Sequence, residues 1–251
     1  MNSLTDRILY CDGSCVVVNK IAGEAVEGAG SGMIDLPRLL ADELAVPNWP
    51  AALPEEHILP LPTAVHRLDV PVSGCVVFAR TNNALVFLNN AFRNNAVKKF
   101  YRAIVEPPEN KDCILPQTME EFVHWIQFNP KKNRSFAHDT EGLGRKKAIL
   151  RCRQSGRGEN YLFFEIELVT GRPHQIRAQF ERLGLCIKGD LKYGAKRSEK
   201  GGGIRLHAHS ISFPNPADIN KRITVQCDPP LKDNLWLAFE NGNANDIGNP
   251  S

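Results

Sequence analysis

The run Cys75–Ala79 (CVVFA) contains no polar position and follows a break at Pro71 and Gly74, so it reads as a buried strand. A chain with such a strand must cover it, and the residues just before it are anything but apolar. Within AVHRLDVPVSG, residues 64–74, His66, Arg67 and Asp69 set an imidazole, a guanidinium and a carboxylate on an irregular loop. An acid on a loop that a buried strand anchors is well placed to meet a substrate.

The segments around this strand follow no regular βαβ rhythm. RILYCDGSCVVVN (7–19) has the strand, Asp-Gly turn and strand of a hairpin. A short helix is predicted from about Leu36, after a loop with glycines at 28, 30 and 32; no strand leads into that loop and no GK[ST] follows it, so it lacks a phosphate-cradling motif. Five prolines between 47 and 62 read as a linker or surface loop. Asn82–Asn95 has apolar residues at helical spacing with asparagines suited to both caps, and KKFYRAIVE (98–106) reads as a strand stopped by Pro107 and Pro108. Residues 107–145 show the least regularity. KAILRCRQ and NYLFFEIELV read as antiparallel strands, GIRLHAHSISF and RITVQC as two more, and LKDNLWLAFE as a closing helix. This mixture predicts an α+β fold on a mixed, largely antiparallel central sheet flanked by helices.

Charge and cysteine use narrow the function classes. Residues 1–62 hold nine Asp or Glu against three Lys or Arg, whereas residues 63–232 hold 28 basic against 16 acidic residues. The central portion therefore suits a polyanionic partner, or else carries a solvated mixed surface. Seven scattered cysteines without a CxxC pair fit free thiols in a reducing cytoplasm. No apolar stretch approaches bilayer length and no export signal opens the chain, so no membrane association is expected.

LVTGRPHQIRAQFERLG (168–184) is the second informative stretch. Pro173 is placed to open a helix in which Ile176, Phe180 and Leu183 form a buried stripe. His174, Arg177 and Glu181 share an adjoining face, which is an ordinary charged face or an anion site near a helix N-terminus. Tyr101, two residues after Lys99 in a predicted strand, is a core aromatic or, if half-exposed, a platform for a planar ligand. His207 and His209 alternate on one face of a predicted strand without a further ligand to complete a metal site, and no thiol has a local base, so neither metal nor cysteine chemistry is expected.

HRLDVPVSG (66–74), KKFYRAIVE (98–106), LVTGRPHQIR (168–177), GDLKYGA (189–195) and RLHAHSISFPNP (205–216) occur in this order, and together they resemble the RluA-type pseudouridine synthases. The resemblance covers about residues 8–240. It implies one pseudouridine synthase catalytic domain across 1–251, without a separate N-terminal S4-type domain, that isomerises uridine in ribosomal or transfer RNA without any cofactor or metal. It casts Asp69 as the catalytic carboxylate, Tyr101 as the aromatic against the target base and Arg177 as the ion-pair partner of Asp69. It makes Ile176 an apolar wall and sends Arg67 into the RNA stack, with His66, Lys99, Arg172 and His174 as further RNA contacts. Val72 stands where Thr is commoner in the family, and Pro107 where glycine is usual. An RNA-binding protein of the same fold without turnover is the alternative. A monomer with no protein partner is the corresponding expectation.

Overall fold

Short runs rich in β-branched and aromatic residues, cut by turns, give this chain more strand than helix. The computed structural model describes residues 3–28, 34–45, 49–50, 58–110, 115–199, 202–230 and 232–245. In chain order its elements are α1 (Leu4–Arg7), β1 (Ile8–Cys11), β2 (Cys15–Lys20), β3 (Glu24–Ala25), β4 (Ile34–Asp35), α2 (Leu36–Leu44), β5 (Ile58–Ala64), β6 (Ser73–Thr81), α3 (Asn82–Arg93) and β7 (Lys98–Glu106). They continue as β8 (Glu120–Asn129), β9 (Arg134–His138), β10 (Lys146–Arg157), β11 (Leu162–Leu168), α4 (Gln175–Arg182), β12 (Cys186–Ile187), β13 (Leu206–Asn215), β14 (Asp218–Gln226) and α5 (Asn234–Asn245). The fold is α+β with a mostly antiparallel sheet, as the sequence predicts. The chain divides into two compact units, residues 1–99 with 208–230, and residues 100–207 with 231–251.

In the first unit β6 is the centre, antiparallel to β2 on one side and to β5 in part. Val76 to Ala79 are wholly buried, and α3 packs its Ala84, Leu88 and Ala91 over Val77 and Ala79. The predicted Asp-Gly hairpin is present as β1 and β2; Asp12 Oδ1 accepts from the amides of Ser14 and Cys15 at 2.7 and 2.8 Å and fixes the turn. Gly74 does not break the chain but lies inside β6 at φ +121°, where a Cβ would stand 2.3 Å from the Ala208 carbonyl oxygen. Only glycine allows that approach.

Several boundaries differ from the sequence reading. Helix α3 is capped by Thr81, whose Oγ1 accepts from Ala84 N at 3.2 Å, and an asparagine caps only its C-terminus. Residues 58–64 are strand rather than linker: β5 pairs β6 only at Ile58, Thr63 and Ala64, so Pro60 and Pro62 cost no ladder bond. The rest of that loop (51–57), and most of the glycine-rich loop with Gly30 and Gly32, lie outside the described residues.

In the second unit the strand order is β7-β11-β10-β8-β9, with β12 on the edge of β7. The region 107–145, read as irregular, supplies two of these strands; β8 pairs Trp125 to Asn129 with His138 to Arg134 of β9. Directly paired residues share a face of a sheet. Phe164 of β11 pairs with Ala103 and contacts Phe180 of α4 edge-on at 5.5 Å, while Ile166 pairs with Tyr101. Tyr101, Ala103, Phe164 and Ile166 therefore share the face that α4 covers. Ile104 and Phe163 lie on the opposite face, packed against Trp236 and Phe239 of α5.

Candidate active site

In the first unit, the loop between β5 and β6 is fastened at both ends. At its start Val65 N donates to Val77 O at 3.2 Å, and Val77 N donates to His66 Nε2 at 3.1 Å, so an imidazole lone pair replaces the next ladder carbonyl. The His66 ring stacks on Phe92, 4.9 Å between centroids and 23° between planes. Burial, and then the Lys99 charge, push its pKa down to about 3, in keeping with a nitrogen that must stay an acceptor. Lys99 Nζ lies 5.9 Å from the centre of the same Phe92 ring, and burial lowers its pKa to about 8.

At the other end the fastening is Lys20, the last residue of β2 and fully buried. Its ammonium donates to the carbonyls of Ile21 at 3.0 Å, Val70 at 3.1 Å and Val72 at 2.7 Å, with Asp69 O at 3.4 Å. Val72 N returns a bond to Asp69 O at 2.9 Å, closing the turn through Pro71, and Gly23 N donates to Val70 O at 2.8 Å. Glu24 holds the adjoining turn, accepting from Ile21 N at 3.0 Å and from both Nη groups of Arg7 at 2.9 Å. Asp69 sits half-buried on this framework, and Arg67 is exposed with Glu27 at 3.7 Å.

Burial lowers the Lys20 pKa to about 8, against the opposing pull of Glu24 and Asp69. The folded value lies below the ordinary 10.5, so the unfolded chain holds this proton more tightly, and the stability linked to Lys20 rises as pH climbs from about 8 toward 10.5. Lys20→Met lacks that rise. Carbonyls left without a donor make it less stable by about 1–3 kcal/mol at neutral pH. Denaturant melts of both proteins over a pH series check this, and superimposable curves would remove Lys20 from the loop's support.

In the second unit, helix α4 is buried all round its first turns rather than on one stripe. Gln175, Ile176, Arg177, Ala178, Gln179 and Phe180 are each no more than 5% exposed. The helix starts at Gln175, two residues after Pro173, with His174 at φ 50° as its N-cap. Gln175 secures this entry: its Oε1 accepts from Thr170 Oγ1 and Arg172 N, and its Nε2 donates to Ile149 O and Gln179 Oε1. Arg177 is not on a solvated face. Its Nε and Nη2 donate to Asp190 Oδ2 and Oδ1 at 2.6 and 2.8 Å, and its guanidinium lies 4.7 Å from the centre of the Tyr193 ring.

Tyr193 OH accepts from Ser135 N at 2.8 Å and shares a hydrogen bond with His174 Nδ1 at 2.9 Å. Arg172 is half-buried and donates through Nε to Lys147 O at 3.0 Å. Tyr101 is 6% exposed, deeper than its polar neighbours suggested, because Arg102 points the other way, over Phe239 and toward Glu240. The second unit thus puts Tyr101, Ile176 and Arg177 on one face of its sheet.

Sequence reasoning gave no role to Lys20 or Gln175, and took in Asp190 and Tyr193 only as part of a motif. The signal for the last two was their place in GDLKYGA; a lysine ending a strand carries none. His207 is buried edge-on to Trp236, and His209 Nδ1 lies 2.7 Å from Cys227 O. Among the described residues no three His, Cys, Asp or Glu side chains gather as metal ligands.

A family model described as RNA pseudouridylate synthase matches residues 14–182. An uncharacterized RNA pseudouridine synthase of Zymomonas mobilis is 31% identical over 218 residues, 85% of this chain and 90% of that protein. The ribosomal large subunit pseudouridine synthase C of Vibrio parahaemolyticus is 29% identical over 86% of this chain, which spans 63% of that protein's length. Among solved structures, a human RNA pseudouridylate synthase domain-containing protein superposes with a TM-score of 0.67 at 19% identity, covering 96% of this chain and 94% of that one; at that identity the likeness is one of fold.

Proposed function

The chain belongs to the RluA-type RNA pseudouridylate synthases, a family of isomerases, and from that premise we propose that it converts particular uridines of structured RNA to pseudouridine with Asp69 as the catalytic carboxylate. Ribosomal RNA is the first candidate substrate because relatives are named for the large ribosomal subunit, and transfer RNA is the second. The observation that carries the reading is the Lys20 ammonium, a buried cation that donates to three carbonyls of the turn that presents Asp69. Such support is what a side chain needs in order to meet a reacting atom in one geometry.

The reaction breaks the N1–C1′ bond of uridine, turns the base, and joins C5 to C1′. The C5 hydrogen leaves as a proton and N1 gains one, so nothing is oxidised or reduced. Positive charge developing at C1′ favours an adjacent carboxylate, as nucleophile or as electrostatic partner. In this proposal Arg177 is the partner that keeps Asp69 ionised while the base shuts out water. Its own geometry is supported by Asp190 and Tyr193, and a guanidinium suits a carboxylate partner because its planar fork carries five donors.

Tyr101 packs on the target base and Ile176 bounds it. Extruding the uridine costs on the order of a few kcal/mol. Arg67 can fill the gap it leaves, since its ion pair among the described residues is a weak surface one with Glu27. His66 and Lys99 contribute by placing this loop, and Arg172 and His174 by placing the start of α4. RNA tritiated at C5 of uridine tests the proposal. Incubation with the chain releases tritium to water, unaffected by a chelator; binding without release would make it an RNA-binding protein of the same fold.

A further inference from the structure

The geometry points to a second RNA-contact surface at the β8–β9 end of the second unit, where Phe128 stacks on an unpaired base and Lys131, Lys132, Arg172 and Lys192 hold the flanking phosphates. This rests on the RNA-modifying reading above and extends it from Arg172 to Phe128, Lys131, Lys132 and Lys192, which the catalytic proposal leaves idle. The turn between the two strands is fixed: Asn133 N donates to Pro130 O at 3.2 Å, Lys132 N donates to Asn129 Oδ1 at 3.1 Å, and Asn133 adopts φ 43°. Lys131 and Lys132 therefore project from a rigid tip, and both are exposed.

Two neighbouring segments are tied to the same end. Lys192 Nζ donates to Asn133 O at 3.1 Å, and Arg172 Nε donates to Lys147 O at 3.0 Å. Phe128 is 39% exposed and meets the His174 ring edge-on, 6.1 Å between centroids, so the surface runs without interruption to the start of α4.

Several cations elsewhere in the unit are neutralised internally. Arg151, Arg153 and Arg182 each have a carboxylate partner, as do Lys188 and Arg205. Among the described residues none of those four surface cations, Lys131, Lys132, Arg172 and Lys192, is in an ion pair. A polyanion laid there gains attraction without breaking internal salt bridges, and it releases its own counterions. An exposed aromatic ring among such cations favours a nucleic acid over an acidic peptide or a lipid surface. Every base offers a flat face at the spacing of its own phosphates, and stacking needs no particular sequence.

The test uses the full chain and a fluorescent, unmodified hairpin RNA with a uridine-rich loop, alongside heparin as a polyanion without bases. Lys131→Gln/Lys132→Gln weakens RNA binding about tenfold and flattens the plot of log affinity against log salt by roughly 1.5, the loss of two phosphate contacts. Phe128→Ala weakens RNA binding about tenfold with the salt slope unchanged and heparin binding unaffected, and Phe128→Trp restores it. In the tritium assay both variants raise KM while kcat holds.

Unchanged affinity and slope in the lysine variant would overturn the inference. So would a Phe128→Ala protein that binds RNA as the native chain does, or loses heparin equally. Failure of this surface is distinguishable from failure of the enzyme: variants matching an active native protein remove only the dock, whereas a native protein without tritium release removes the proposed activity.

Discussion

Asp69→Asn releases no tritium from uridine-labelled RNA, a loss of at least about a thousandfold, and still binds that RNA. The substitution keeps the shape of the side chain and one carbonyl acceptor but removes the charge that the developing sugar cation needs. It should leave the loop in place, because Lys20 and Val72 grip the Asp69 backbone carbonyl and not its carboxylate. Tritium release and RNA binding measured on the same preparation, with melting as a check on folding, separate chemistry from structure. Equal release by the native and Asn proteins would remove Asp69 from the mechanism.

The second large effect concerns Asp190. Its carboxylate is 2% exposed and pairs through both oxygens with an arginine that is itself 5% exposed. Removing one partner of such a pair takes from the buried arginine its bidentate carboxylate, and breaking a buried pair in this way costs about 3–5 kcal/mol. Asp190→Asn should therefore melt far earlier in denaturant than the native chain. Converting both members to apolar residues of similar volume is often close to neutral, so Asp190→Leu/Arg177→Met should regain most of the lost stability. It should regain none of the activity, because Arg177 also has a part in the proposed chemistry. An Asp190→Asn protein as stable as the native one would show that the pair carries no such energy. A double variant that turned over uridine would remove Arg177 from the site.

Elements whose pattern is set locally were legible in the sequence. Lys98–Glu106 and Cys75–Ala79 read as strands because their apolar positions and flanking breakers say so without knowledge of the fold, the second extending in the structure to Ser73–Thr81. The strands β8 and β9 did not, since prolines at 107, 108, 116 and 130 and a scatter of charge hide an alternation in which only His124 and Ile126 of β8 are buried. Helix α4 was read correctly as a helix and wrongly as amphipathic. Its spacing is right, but what it packs against decides that Arg177 and two glutamines go inside. Lys20 and Asp190 show where sequence reasoning runs out: burial of a charged side chain is set by partners 50 residues away in one case and 13 in the other.

The two fastenings of the loop that presents Asp69 depend on opposite protonation states, one on an imidazole without its second proton and the other on an amine that keeps its third. The imidazole gains its second proton only in strong acid, near pH 3, whereas the amine is already half deprotonated by about pH 8. In mild acid, between those two titrations, both fastenings keep the state that holds the loop. A protein built this way presents its carboxylate in one geometry on the acid side of neutrality, and a loosening of that hold on the alkaline side traces to the amine and not to the imidazole.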